Sequence, residues 1–391
     1  MKNNYIFLFS LLFVIVGSFA QEQKDINKIE QGHIDQNKFR QLKDVLATPN
    51  DQHTASGAPG SQYSQQKVDY VMDIRLEEST NKIYGNEKIT YHNNSKDQLD
   101  YLWVQLDQNM RADDSKTPLV KSTGASEFIT PEKFQSTYMK ENKGFGFKVE
   151  KVESNGIPLS YFINSTMMRI NLPKPLASGG TFKFSIQWNY KINDINKDGG
   201  RSGLESFPDG NNNYTIAQFF PRLAVYNNVE GWQNMQFWGR SEWALEFGDY
   251  EVNITVPADH IVDATGVLQN EKDVLTKEQR KRWENAKKSY KTPVFIVTQA
   301  EAEKTEKGRA TNTKTWKFKA QRVRDFAFAS SRKYIWDAMA TNINGKTVMA
   351  VSLYPKEGNP LWEEHSTRAV ATTLIEYSKL TVLKIVLSGW K

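Results

Sequence analysis

From Tyr70 the chain alternates with a period of two. Tyr70, Met72, Ile74 and Leu76 fall on one side of an extended backbone, and Val71, Asp73, Arg75 and Glu77 fall on the other. Turn residues at Thr80-Asn81 separate this run from Ile83-Tyr84, and Gly85 interrupts before Ile89 and Tyr91. After the turn Asn93-Asn94-Ser95, the residues Leu99, Tyr101, Trp103 and Gln105 alternate with Leu102, Val104 and Leu106. Further strands are predicted at 145–152, 159–162, 167–172, 181–190, 250–256, 293–298, 315–323, 326–330 and 348–353. Many short strands without a strand-helix-strand rhythm predict a mainly β fold, a saddle-like antiparallel sheet or sandwich.

Helical signals are few. Phe39, Leu42, Val45 and Leu46 form a short amphipathic stretch in an otherwise polar lead-in arm, 21–66. Thr276, followed three residues later by Gln279, makes a capping box for a helix running toward Tyr290. Asn359 and Pro360 open a last helix, with Trp362, Val370, Leu374 and Tyr377 roughly on one face. The period therefore changes from β to α only in the last thirty-odd residues.

Composition narrows the setting. Lys2, an apolar run from Tyr5 to Val16, and Gly17-Ser18-Phe19-Ala20 have the three-part pattern of a secretory signal peptide cut after Ala20. The run is short for a bilayer span, so a secreted or periplasmic protein without a stable membrane anchor is expected. The chain has no cysteine, which excludes disulfides, thiolate metal sites and a cysteine-linked lipid. The net charge of +6 is concentrated in 271–323, a basic helical insert with 15 Lys/Arg against 7 Asp/Glu. With no nucleic-acid-reading motif this segment reads as a solvated surface, and no nucleic-acid partner is expected.

Catalytic patterns are missing. The five histidines are His33, His53, His92, His260 and His365. Four residues on from each stand Asn37, Gly57, Lys96, Ala264 and Ala369, so the helical zinc pair H-E-x-x-H does not occur. Gly200-Arg201-Ser202-Gly203 lacks the spacing of a serine nucleophile elbow, and there is neither a dinucleotide fingerprint nor a phosphate loop. No catalytic residue and no metal ligand is assigned. The densest aromatic stretch runs from Phe219-Phe220-Pro221-Arg222 through Tyr226, Trp232, Phe237-Trp238 and Trp243 to Phe247. Two readings stand open: a packed cluster in which Arg222 bridges to Glu230 or Glu246, and a cleft wall meeting peptides or glycans.

A set of dispersed motifs resembles a known family. They are Phe39-Arg40-Gln41-Leu42, Ala55-Ser56-Gly57-Ala58-Pro59-Gly60, the Tyr70–Leu76 alternation, Tyr91-x-x-Asn94-Ser95, and Leu102-x-Val104-x-Leu106-x-x-Asn109. Phe219-Phe220-Pro221-Arg222-x-x-Val225-Tyr226, Gly231-Trp232-Gln233, Glu242-Trp243, Phe247-Gly248-Asp249-Tyr250, Ala264-Thr265-Gly266 and Arg324-Asp325-Phe326-Ala327 continue it. Over about 37–381 the chain resembles the N-terminal part of a secreted branch of the alanyl aminopeptidase (gluzincin) family of zinc metallopeptidases. The resemblance implies a β-rich N-terminal domain at 67–355, followed at 356–391 by the first helix of a thermolysin-like catalytic domain, cut short. It also implies peptide substrates and zinc in intact relatives, with no cofactor held by this chain. Ser366–Thr381 resembles the first catalytic-domain helix, and 382–391 departs from the pattern; a truncation or shifted reading frame is expected there. Relatives send a Gln from the β domain toward the substrate amine, and Gln218 stands at the matching position. Its amide carbonyl can accept from an ammonium without adding a charge that a metal would compete for.

Overall fold

The computed structural model describes residues 49–120, 128–138, 143–239 and 244–380. The signal-like segment, the Phe39–Leu46 stretch, Glu242-Trp243 and everything after Leu380 lie outside them. The chain divides into two compact units, 1–63 and 64–391. In the first, Asn50 Oδ1 accepts from the backbone of Gln52 and His53, and His53 bridges to Pro59 in a tight turn.

The second unit is mainly β, as the alternation predicts. Its largest sheet has eight strands. In spatial order they are β16 (Val267–Leu268), β18 (Thr313–Val323), β14 (Gly248–Pro257), β1 (Lys67–Glu77), β2 (Lys82–His92), β8 (Thr181–Lys191), β4 (Lys148–Ser154) and β5 (Ile157–Pro158). A second sheet carries β15 (Ile261–Ala264), β19 (Phe328–Ser331), β10 (Asn212–Ile216) and β9 (Gly203–Ser206). A third carries β11 (Arg222–Leu223), β3 (Leu99–Gln105), β7 (Met167–Leu176) and β6 (Tyr161–Asn164). Two smaller sheets join β12 (Tyr226–Asn227) to β13 (Gly231–Trp232), and β17 (Val294–Val297) to β20 (Ile335–Ile343) and β21 (Lys346–Tyr354).

Alternation sets which face is buried. In β1, Val68, Tyr70, Met72, Ile74 and Leu76 are buried while Val71, Asp73 and Arg75 are exposed. β2, β8 and β14 repeat the pattern, so their inner faces form one core with Trp188, Phe219, Phe220 and Trp316. Burying each such side chain is worth about 1.5–3 kcal/mol or more. The named strand pairs are antiparallel except β1 with β14, which run parallel from Tyr70↔Tyr250 to Arg75↔Thr255. At the start of β14 a Cβ on Gly248 would lie 1.6 Å from the Val68 carbonyl oxygen, so only glycine admits this approach. β2 is one unbroken strand rather than two runs parted by Gly85, and it carries Glu87 on its buried face.

The capping box forms as predicted, with Thr276 and Gln279 each bonded to the other's backbone, but its helix ends at Ala286. The last helix spans Leu361–Leu380. It packs Ala371 against Met339 and Ala350, and Thr367 Oγ1 donates to Asp337. Asn359 does not cap it with its oxygen; its Nδ2 donates to Glu363 at 2.9 Å instead. No helix of the described residues is long and apolar enough to cross a membrane.

Candidate functional site

The strand β10 ends at Ile216, and the backbone reverses hand two residues later. Gln218 has φ +53°, a left-handed conformation that costs a residue with a Cβ roughly 1–2 kcal/mol. The strain is held from both sides. Before it, the Ala217 N–H donates to Ser202 Oγ at 2.9 Å, and that hydroxyl lies 3.0 Å from Ala217's carbonyl. After it, Phe219 and Phe220 are wholly buried. The Gln218 carbonyl itself accepts from the buried Gln108 Nε2 at 2.9 Å. These contacts hold the main chain, and the half-buried side-chain amide makes no hydrogen bond among the described residues. Gln218 therefore sits in a bend between β10 and β11, not within a strand, and offers a neutral acceptor.

The position predicts a stability effect of unusual sign. Gln218→Gly removes the left-handed penalty while deleting no hydrogen bond, so thermal unfolding should show a gain of about 0.5–1 kcal/mol. Gln218→Val should cost more than that, because a β-branched residue tolerates positive φ least.

Four residues beyond Gln218, Arg222 is buried and pairs with neither Glu230 nor Glu246. Its Nη2 and Nε reach Asp107 Oδ2 at 2.6 and 3.2 Å, and its Nη1 reaches Asp325 Oδ2 at 2.7 Å. The pairing of Arg222 with Gln105 across β11 and β3 brings Asp107, two residues further on, under the guanidinium. Burial works against the charge on Arg222, but the two facing carboxylates outweigh it and raise its pKa. Burial also leaves Asp325 above its usual range, although Arg222 pulls it down. Glu246 instead faces the backbone N–H of Tyr226, and burial pushes its carboxyl up to about 7. No spacing pattern in the sequence marks Asp107, because its partner Arg222 stands 115 residues away.

Five rings of the aromatic stretch, Phe219, Phe220, Tyr226, Trp232 and Phe237, are core. Phe219 and Phe220 are at 0% exposure, and Tyr226, Trp232 and Phe237 are below 10%. Trp232 packs on Tyr226 at 5.1 Å and near Tyr91 and Tyr101. The cleft-wall reading fails for these rings because β12 and β13 turn their faces inward. Trp238 is half-buried, and Phe247 is exposed at 38% with the Arg324 guanidinium 4.3 Å from its ring.

The described histidines of the second unit, His92, His260 and His365, have separate partners. His92 bonds Asp69 and Thr181, His365 is exposed beside Glu364, and His53 belongs to the first unit. His260 Nδ1 lies 2.9 Å from Ser330 Oγ and its Nε2 3.7 Å from Glu78 Oε1, a linear acid-base-hydroxyl order. Ser330 and His260 are both at 0% exposure, burial lowers the His260 pKa, and Arg332 clamps Glu78. The trio is a packed polar plug that no substrate reaches. Among the described residues no group of three or more His, Asp or Glu could hold a metal ion. The described residues do not fit a zinc ion.

No protein-family model and no curated protein matches the chain. Solved structures do. A crystal structure of the M1 zinc metallopeptidase from Deinococcus radiodurans aligns at 12% identity and TM-score 0.39, covering 75% of this chain and 47% of that one. A mutant of that enzyme bound to a Tyr-Ser-Ala substrate aligns at 12% identity and TM-score 0.40, covering 78% and 51%. The chain spans about half the length of the solved structures it matches.

Proposed function

We propose that this chain is the non-catalytic N-terminal part of an exported zinc aminopeptidase, and that it turns over no peptide by itself. The observation that carries the reading is Gln218. A Gln held in a strained left-handed bend, with its backbone anchored and its amide unspent, is what a recognition residue for a peptide ammonium requires. The dispersed motifs that resemble the alanyl aminopeptidase family support the same reading, as does a β body followed by the Leu361–Leu380 helix. In this reading 1–20 is a signal peptide, 21–66 an arm, 67–355 the β domain, and 356–391 the start of the catalytic domain. No zinc ligand, no water-activating carboxylate and no step of hydrolysis is assigned to this chain.

Purified chain supplied with zinc should release no p-nitroaniline from aminoacyl-p-nitroanilides, and elemental analysis should find no stoichiometric zinc. Chelator-sensitive release would overturn the reading.

A further inference from the structure

The third sheet ends on one side in an open edge. β6 is its last strand, and Tyr161, Phe162 and Ile163 leave 37, 47 and 42% of their surfaces exposed. Ile170 and Met168, the β7 partners of Tyr161 and Ile163, are wholly buried, so the cover of that face stops one strand short of the edge. The Ser160 carbonyl accepts from the Asn171 N–H at 2.9 Å, and bonded pairs alternate along an antiparallel ladder. Phe162 is therefore a bonded partner of Arg169, while Tyr161 and Ile163 turn their N–H and C=O groups away from β7. Edges are ordinarily kept from pairing by shortness, charge or proline. β16 and β5 are two residues long and β5 ends in Pro158, and β15 and β9 carry Asp263 and Glu205. β6 has four residues, no charge and no proline.

Behind the edge stands a cation without a counter-charge. Trp103, Arg169 and Phe162 form one row across β3, β7 and β6. The Arg169 guanidinium lies 3.9 Å from the centre of the Tyr101 ring and 5.9 Å from that of Phe162, and Trp103 meets Phe162 edge-on at 5.9 Å. Among the described residues the Arg169 side chain makes no ion pair and no hydrogen bond, and its Nε is buried. β6 and β7 together carry Arg169 and Lys174 and no acidic residue. These charges select the occupant. A second copy of the chain, paired edge to edge, would set like charges facing each other. It would cover only about 500 Å² of the three exposed side chains, against roughly 1,200–2,000 Å² in a specific interface. An extended segment bearing a carboxylate makes the same main-chain bonds and supplies the missing charge.

We infer that β6 is a docking edge for an extended acidic peptide segment, which adds as a fifth strand to the third sheet and sets a carboxylate on Arg169. The segment bonds to the outward N–H and C=O groups of Tyr161 and Ile163. Its residue opposite Phe162 lies on the face of Arg169, and the residues on either side of that one cover Tyr161 and Ile163. An acidic residue flanked by β-branched ones is therefore the sequence the edge selects. The inference stands on β6 and Arg169 and does not rest on the role proposed for Gln218.

The test is a titration of the full chain with the capped peptide Thr-Val-Glu-Val-Thr, read on the backbone amide resonances of Tyr161 and Ile163 by NMR. Parallel arms use the same peptide with Gln for Glu, and the Glu peptide with both valine nitrogens methylated. The Glu peptide should shift both amides saturably, with half-saturation on the order of 0.1–1 mM. The Gln peptide should bind about fivefold more weakly, and Arg169→Gln should bring the two peptides level. The methylated peptide should give no saturable shift, because it cannot donate to the edge. Equal binding of the Glu and Gln peptides overturns the acidic assignment, and equal binding of the methylated peptide overturns strand addition. Sedimentation of the chain alone should show a monomer at the titration concentration; a dimer that Phe162→Glu dissociates would give the edge to a second copy and overturn the inference. The three peptides on the unaltered chain decide the matter even if a variant does not fold.

Discussion

Replacing Arg222 by Met should cost about 3–5 kcal/mol, a large share of the 5–15 kcal/mol that holds a typical domain together. The loss does not come from the pair's own strength, since burying two charges roughly cancels their attraction. It comes from taking the Arg222 cation away from Asp107, whose side chain is at 1% exposure. Urea unfolding should show the midpoint falling while the slope stays constant. Asp107→Asn added to Arg222→Met should recover part of the loss, because the carboxylate charge that faced Arg222 is then removed. Asp325→Asn alone should cost less, because the Asp325 side chain is 38% exposed and water can replace its partner.

The second large effect has the opposite sign. Glu87→Met should stabilise the protein by about 1–3 kcal/mol at pH 4, the cost of an unsatisfied buried carboxyl, and by more at pH 8. Glu87 lies at the centre of the inner face of β2, paired with Met72 on one side and Ile186 on the other. Both of its carboxyl oxygens are buried without a hydrogen-bond partner among the described residues. Burial alone therefore raises its pKa well above the ordinary Glu value of 4.5. The folded chain keeps a proton that the unfolded chain has released, so stability is full below about pH 4.5 and falls as pH rises toward the folded value. One proton's difference corresponds to about 1.4 kcal/mol per pH unit across that window. Urea midpoints of the two proteins, measured from pH 4 to 8, should diverge steadily; parallel curves would show that Glu87 has found a partner.

Glu87 also explains a limit of sequence reading. The alternation in β1 is visible because every inward position is apolar, and the same holds for most of β8 and β14. In β2 the inward series runs Ile83, Gly85, Glu87, Ile89, Tyr91, so a glycine and a carboxylate at its middle break the pattern while the strand continues. β20 was illegible for the contrary reason. It is buried on nearly every residue from Ile335 to Ile343, between its sheet neighbours and the Leu361–Leu380 helix, so there is no alternation to see. The Asn344-Gly345 turn that follows it, with both residues at positive φ, was the one local sign of a hairpin there.

The candidate site divides in the same way. Gln218 was reached through a resemblance, and its left-handed backbone was not legible, because nothing in Ala217-Gln218-Phe219 announces positive φ. Nearness in sequence favours Glu230 and Glu246 as partners of Arg222, whereas the sheet brings Asp107 and Asp325 to it. Local chemistry fared better. The capping box at Thr276 is a contact between residues three apart, and it formed as written.

The parallel alignment of β1 with β14 bears on how the chain reaches its folded state. The two strands lie side by side in the middle of the largest sheet, yet Tyr70 and its partner Tyr250 are 180 residues apart in sequence. The hairpin of β1 and β2 can close early, but one flank of β1 stays open until β14 has been synthesised. Loop-closure entropy makes such a pairing a late, slow event. For the time a ribosome needs to add those residues, roughly ten to forty seconds at 5–20 residues per second, that edge is a vacant template for any extended chain nearby. A nascent protein of this design depends on whatever shields its unfinished sheet until residue 257 is out.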